Sequence, residues 1–109
     1  MRTPARLRKL CLALPEATEV EQFGGPTYRV RNKIFAMQAG GEDQVWFKAE
    51  KGVQPALVES DPDRWFVPPY VGGRGWVGAV LSNADWDHLA DLIEESYRLV
   101  APKKLSKLL

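Results

Sequence analysis

Basic side chains recur at alternate positions in one stretch of this sequence, where single residues separate Arg29, Arg31 and Lys33. Side chains two positions apart in a β-strand lie on the same face, so we expect these cations to line a strand or to project from its hairpin. Cations spaced along strands can contact successive phosphates, and an aromatic ring can stack on an unpaired base. The residues that together predict a nucleic-acid-binding surface are Arg29, Arg31, Lys33, Lys48, Arg74 and Trp76.

The same cations also fit a plainer interpretation, the solvated face of a sheet that is covered on one side only. A few cations without base-reading geometry bind DNA weakly and in a salt-dependent way. Arg74 stands among Gly72, Gly73 and Gly75, a composition typical of a flexible loop tip. An arginine on such a tip can enter a groove of DNA.

A second candidate site is the aromatic and proline-rich segment 65–70, which contains Trp65, Phe66 and Tyr70. Such a loop can line a concave site for a small molecule or a protein partner. The alternative is that these rings close one end of the core, because small domains use most of their aromatic residues for burial.

The cysteine and histidine counts limit the chemistry further. The chain has one cysteine, Cys11, and one histidine, His88. These counts exclude an intramolecular disulfide and a structural zinc site, which needs about four such ligands. Cys11 falls on the apolar stripe of a predicted helix, so we expect it to be a small core residue.

Acidic side chains share one face of the last predicted helix, where they could bind a hard cation if loops added further oxygen ligands. Arg98 lies four positions after Glu94, which favours a solvated ion pair instead. The carboxylates concerned are Asp87, Asp91, Glu94 and Glu95. We predict no metal, no cofactor and no catalytic residue, and therefore a protein that is not an enzyme.

The chain has 109 residues, enough for one domain over residues 1–109. Its net charge is only +1, but residues 1–14 carry +4, residues 82–100 carry −4 and residues 101–109 carry +3. A basic surface is therefore compatible with the total charge, provided that it is small. No apolar run is long enough to span a membrane, and the N-terminal residues do not resemble a signal peptide, so we expect a cytoplasmic protein.

Hydrophobic periodicity predicts a helix over 4–14, a short helix over 54–60 and a long helix that ends at residue 100. Ser82 and Asp85 resemble a capping box before this last helix. Alternating segments predict strands over 18–22, 27–31, 34–38, 44–48 and 76–81. The short connections favour an antiparallel meander. The expected fold is α+β, with a sheet of about five strands covered on one face by the N- and C-terminal helices.

Over residues 7–105 the sequence resembles the MmcQ/YjbR family. The matching stretches are 11–19 (CLALPEATE), 22–24 (QFG), 28–36 (YRVRNKIFA), 45–48 (VWFK), 76–81 (WVGAVL) and 92–100 (LIEESYRLV). The resemblance implies a frataxin/CyaY-like fold and no catalytic motif. It also implies DNA binding through two β-hairpins, described as a double wing. We predict a weak DNA-binding protein, with a ligand- or partner-binding module at 65–70 as the alternative.

Overall fold

The computed structural model describes residues 3–109, with side chains from residue 5 onward. Arg2, part of the basic N-terminal segment, lies outside the described residues. The elements in chain order are α1 Thr3–Leu12, β1 Thr18–Gln22, β2 Gly25–Val30, β3 Lys33–Met37, β4 Gln44–Phe47, α2 Val53–Ser60, β5 Trp65–Phe66, a 3-10 turn Gly72–Arg74, β6 Val77–Val80, a 3-10 turn Leu81–Asn83, α3 Trp86–Val100 and α4 Lys103–Ser106. None of these helices has the length and apolar character needed to cross a bilayer.

The six strands form one antiparallel sheet in the order β1-β2-β3-β4-β6-β5. This architecture confirms the α+β prediction, and the sheet has one strand more than the five expected. The additional strand is β5, whose residues Trp65 and Phe66 pair with Ala79 and Gly78 of β6. Two residues are too few to show an alternating pattern, so β5 was not recognisable in a proline-rich segment.

Helices cover one face of this sheet, and the main hydrophobic core lies beneath them. From α3 the core receives Leu89, Ile93 and Tyr97, which are each 0% exposed and lie one helical turn apart. Helix α1 contributes Leu7 and Cys11, and both are fully buried. Cys11 is therefore a core residue, as predicted, and its burial raises the pKa of its thiol.

The start of α3 differs from the predicted capping box. The Asp85 carboxylate accepts a hydrogen bond from the backbone N–H of His88 at 3.3 Å, which caps the helix. Ser82 does not take part, because its backbone N–H and its hydroxyl both donate to the Asp43 carboxylate, each at 2.9 Å. This pair of bonds instead ties the end of β6 to the loop before β4.

A β-bulge in β3 decides which side chains face away from the helices. The register between β2 and β3 slips by one residue after Tyr28. As a result, two consecutive residues, Phe35 and Ala36, both pack into the main core. The residues on either side of them, Ile34 and Met37, belong to a second cluster on the opposite face. The bulge therefore brings both to the face of the sheet that the helices leave open.

The open face carries its own small hydrophobic cluster, built on Met37, Trp46 and Trp76. Phe66 of β5 packs against this cluster and lies over Gly78 of the neighbouring strand, where a Cβ atom would collide with the ring. Only glycine fits beneath the ring at this position. This second cluster is the floor on which the candidate site is built.

A cationic groove on the open face of the sheet

A broad open groove of about 820 Å³ runs across the face of the sheet that the helices do not cover and extends to Val100, the last residue of α3. Four of the predicted nucleic-acid residues with a positive charge contribute to its lining, and no carboxylate does. We call this feature the cationic groove. It is lined by Gln22, Phe23, Arg29, Asn32, Lys33, Ile34, Met37, Lys48, Val71, Arg74, Trp76 and Val100.

Arg29 is the most firmly placed cation of the groove. Its Nε donates to Thr27 Oγ1 at 3.0 Å, its Nη1 donates to Asn32 Oδ1 at 3.2 Å, and its Nη2 donates to Gln22 Oε1. All three acceptors are neutral, so they orient the guanidinium without cancelling its charge. The side chain is therefore preorganised to bind an anion.

Arg31 lies outside the groove, because it takes the second of the two arrangements predicted for it and projects from the hairpin instead of sharing a strand face with Arg29. The backbone φ is 50° at Arg31 and 65° at Asn32, so these two residues form the hairpin turn rather than the end of a strand. The Arg31 side chain pairs instead with Glu16, through an Nε to Oε1 distance of 2.8 Å. This hydrogen bond from Arg31 lowers the pKa of the Glu16 carboxyl.

The remaining cations approach the groove from three different elements. Lys33 begins β3 and is exposed, Lys48 follows β4 and is half-buried, and Arg74 ends the first 3-10 turn and is exposed. None of the three forms an ion pair within the part of the chain that the structure describes. Trp76 is only 8% exposed, so its ring belongs to the groove floor.

The segment that carries Arg74 was expected to be a flexible tip, but a single side chain anchors it. Nε2 of Gln54, from helix α2, donates to the carbonyl oxygens of Gly72 at 2.8 Å and Trp76 at 2.6 Å. The segment is also packed against Val67, whose side chain occupies the space beside Gly72. Arg74 is thus presented to the groove from a fixed turn.

Replacing Gln54 with alanine should destabilise the protein by about 1–3 kcal/mol, because two partly buried carbonyl groups lose their donor. Urea denaturation measures this change as a lower unfolding midpoint. The matched control is Glu59→Ala on the same helix, which removes an exposed side chain and should leave the free energy of unfolding within about 0.5 kcal/mol of the original. Equal midpoints for the two variants would show that Gln54 is not an anchor.

A smaller recess of about 280 Å³ continues the groove. It shares Phe23, Met37 and Val71 with the groove, and adds Ala39, Trp46 and Tyr70. We call it the aromatic recess. Phe23 is 59% exposed and Tyr70 is 95% exposed, so two accessible rings border an apolar floor. Phe23 was not among the residues predicted for a site, although a phenylalanine directly before two glycines, where a hairpin turns, was an available signal.

The segment 65–70 does not form a single site. Trp65 is 4% exposed and lies in the main core, where its ring meets those of Phe47 and His88 edge-on at 6.3 and 5.4 Å between centroids. Phe66 points to the opposite face, because neighbouring residues of a strand alternate. Tyr70 borders the aromatic recess, which neither Trp65 nor Phe66 lines. The segment thus joins the core to the open face.

Two of the four carboxylates on the acidic face of α3, those of Glu94 and Glu95, pair with Arg98. Arg98 lies 3.3 Å from a carboxylate oxygen of Glu94 and 3.6 Å from one of Glu95. Among residues 3–109, no group of three or more His, Cys, Asp and Glu side chains is arranged to hold a metal ion.

Comparison with known proteins places this architecture among described folds. A family model described as YjbR matches residues 12–99. The crystal structure of Deinococcus radiodurans protein DR2400 is similar, with a TM-score of 0.83 and 22% sequence identity over 98% of this chain and 87% of that chain. No curated protein matches the sequence.

Proposed function

Since this chain belongs to the YjbR family, and its fold leaves one face of the sheet open, we propose that it is a DNA-binding protein without catalytic activity that holds phosphates in the cationic groove. One observation carries the proposal: Arg29, Lys33, Lys48 and Arg74 line a single groove to which no carboxylate contributes. Phosphate contacts supply most of the affinity of sequence-independent DNA binding.

The position of the cations supports a phosphodiester backbone as the ligand. They come from two neighbouring strands, the end of a third and a fixed turn, so their charges are spread along the groove rather than concentrated at one point. A backbone with a phosphate at every nucleotide can meet several such charges at once. The hairpins β1–β2 and β2–β3 contribute Phe23, Arg29 and Asn32 to the walls, which is compatible with the double-wing description of the family.

The binding should be weak and sensitive to salt. Four phosphate contacts and no base-reading geometry correspond to the roughly 10⁻⁴–10⁻⁶ M dissociation constants of non-specific complexes. DNA as the ligand also agrees with the cytoplasmic location expected from the sequence.

The chain offers a matched pair of variants for the test, because Arg29 and Arg31 lie close in sequence but only Arg29 enters the groove. Arg29→Gln should weaken binding of a fluorescent DNA oligonucleotide about tenfold at low salt, since a charge-assisted contact contributes roughly 1.5 kcal/mol. Arg31→Gln makes the same change in net charge and should have little effect. Fluorescence anisotropy measures both dissociation constants.

Equal losses for the two variants would reject the groove as the binding surface, and the absence of binding at low salt would reject DNA as the ligand. A deoxynucleoside monophosphate is included as a competitor. If the mononucleotide competes as well as the oligonucleotide does, the groove serves a small anionic molecule rather than a DNA strand.

A further inference from the structure

We propose that the aromatic recess binds an unpaired base, so that the cationic groove takes single-stranded DNA in preference to duplex. This inference rests on the proposed function and specifies its substrate. The recess and the groove share Phe23, Met37 and Val71, so a strand whose phosphates lie on the cations passes directly beside the recess. One continuous surface thus offers charge to the backbone and exposed rings to the bases.

The backbone at Phe23 is the first reason to assign a ligand to the recess. Gln22 pairs with Gly25, so Phe23 and Gly24 form a two-residue hairpin loop, with φ values of 60° and 84°. Asparagine and glycine adopt this left-handed conformation readily, whereas a bulky side chain is strained in it. A phenylalanine at this position also exposes 59% of its surface to water. Strain and exposure that bring no benefit to folding are typical of a residue retained for binding.

Tyr70 repeats this combination on the other side of the recess. Its φ is 65°, again left-handed, and it is 95% exposed. Phe23 and Tyr70 thus border the same cavity. Each has an unfavourable backbone conformation, and each exposes its ring to solvent. Because both residues show the same combination of strain and exposure at one cavity, we infer that they bind one ligand with a flat apolar face.

Charge selects a base over an apolar protein segment as this ligand. Phe23 lines both the recess and the groove that carries the four cations, and Arg29 is held by Gln22, the residue immediately before Phe23. A ligand that fills both the cationic groove and the aromatic recess must carry negative charge next to a flat ring. A nucleotide within a strand has this combination. In duplex DNA the bases are already paired and stacked, and extruding one costs several kcal/mol, so the recess favours a single strand.

The double variant Phe23→Asn/Tyr70→Asn tests the inference, because asparagine tolerates both backbone conformations and removes both rings. We expect its unfolding midpoint in urea to be unchanged or higher. We expect its affinity for an oligothymidine of about 12 nucleotides to fall about 5- to 150-fold, the effect of losing one stacked base. If the double variant is as stable as the original protein but binds the oligothymidine less well, the two rings serve binding and not the stability of the fold. Leu108→Asn, which removes an exposed apolar side chain outside the recess, is the control and should bind normally.

Three probes separate this inference from the proposed function: the oligothymidine, an abasic strand with the same number of phosphates, and a duplex of the same length. The original protein should bind oligothymidine more tightly than the other two, and the double variant should bind all three about equally. If the double variant keeps its affinity for oligothymidine, or if the original protein prefers the duplex, the base-binding recess is rejected while the phosphate groove stands. If none of the probes binds, the proposed function itself fails.

Discussion

Replacing Lys33 and Arg74 together with glutamate is expected to abolish the proposed binding of DNA. The two residues belong to different elements and both line the cationic groove. Each replacement removes an attraction to a phosphate and adds a repulsion, so the pair should cost roughly 3 kcal/mol or more, which is about a 100-fold loss. For a weak complex this loss places the dissociation constant beyond the range of an anisotropy titration. Both side chains are exposed, so the fold should be retained.

The salt dependence provides a second measure of the same effect. Each phosphate neutralised in a single strand contributes about −0.7 to the slope of log K against log salt, so four contacts give about −3. Single reversals at Lys33 or Arg74 remain measurable and should each reduce the slope by about 0.7 or more. A slope that stays the same in both single variants would show that neither residue contacts a phosphate.

The control for this double variant makes the same change in net charge elsewhere. Lys9 and Lys107 are exposed and do not line the groove. Lys9→Glu/Lys107→Glu should therefore leave the dissociation constant within about threefold of the original, because neither side chain lines the groove and salt weakens interactions between exposed charges. If this control loses binding as fully as the groove variant, net charge rather than the groove determines binding.

The largest effect on stability is expected at Tyr97, which joins three parts of the fold. Its ring is fully buried and meets Phe35 of β3 edge-on, with 5.5 Å between centroids. Its hydroxyl donates to the carbonyl oxygen of Pro15, after α1, at 2.6 Å. Tyr97→Ala should reduce the free energy of unfolding by about 3–5 kcal/mol, the usual cost of removing a buried aromatic ring. Urea denaturation gives this value directly.

Comparison with Tyr97→Phe separates the contribution of the ring to the free energy of unfolding from that of the hydroxyl. It keeps the ring and the contact with Phe35, and loses only the hydrogen bond to Pro15, so the expected cost is about 1 kcal/mol. A loss as large as that of Tyr97→Ala would mean that the hydroxyl, and not the packing of the ring, holds α3 to the remainder of the fold. DNA binding by the folded fraction should be unchanged in Tyr97→Phe, because Tyr97 lies on the covered side of the sheet.

Much of the fold follows from local patterns in the sequence. The apolar residues of α3 recur at helical spacing, and β1 occupies the predicted residues 18–22. The predicted family is confirmed by a match over residues 12–99. Local sequence patterns did not predict the structure where a single long-range contact determines it. The two residues of β5 form a strand because they pair with β6, and Arg74 is fixed because Gln54, eighteen positions or more away, bonds to Gly72 and Trp76.

The candidate site shows the same division between local and long-range causes. Residue types and their positions in predicted strands and loops were enough to predict that one ligand binds Arg29, Lys33, Lys48 and Arg74. Only the tertiary structure could exclude Arg31, since its direction depends on a left-handed turn and on Glu16, fifteen residues earlier.

The sequence by itself determined the class of fold, the family and the set of cations, because each depends on residue type and on spacing within a few positions. The tertiary structure decided which cations share a groove and that Phe23 and Tyr70 border one recess. Those outcomes depend on the β-bulge, on strand order and on side chains brought together from distant parts of the chain. Such contacts leave no periodic signal in a single sequence, because each is fixed by the packing of the whole sheet.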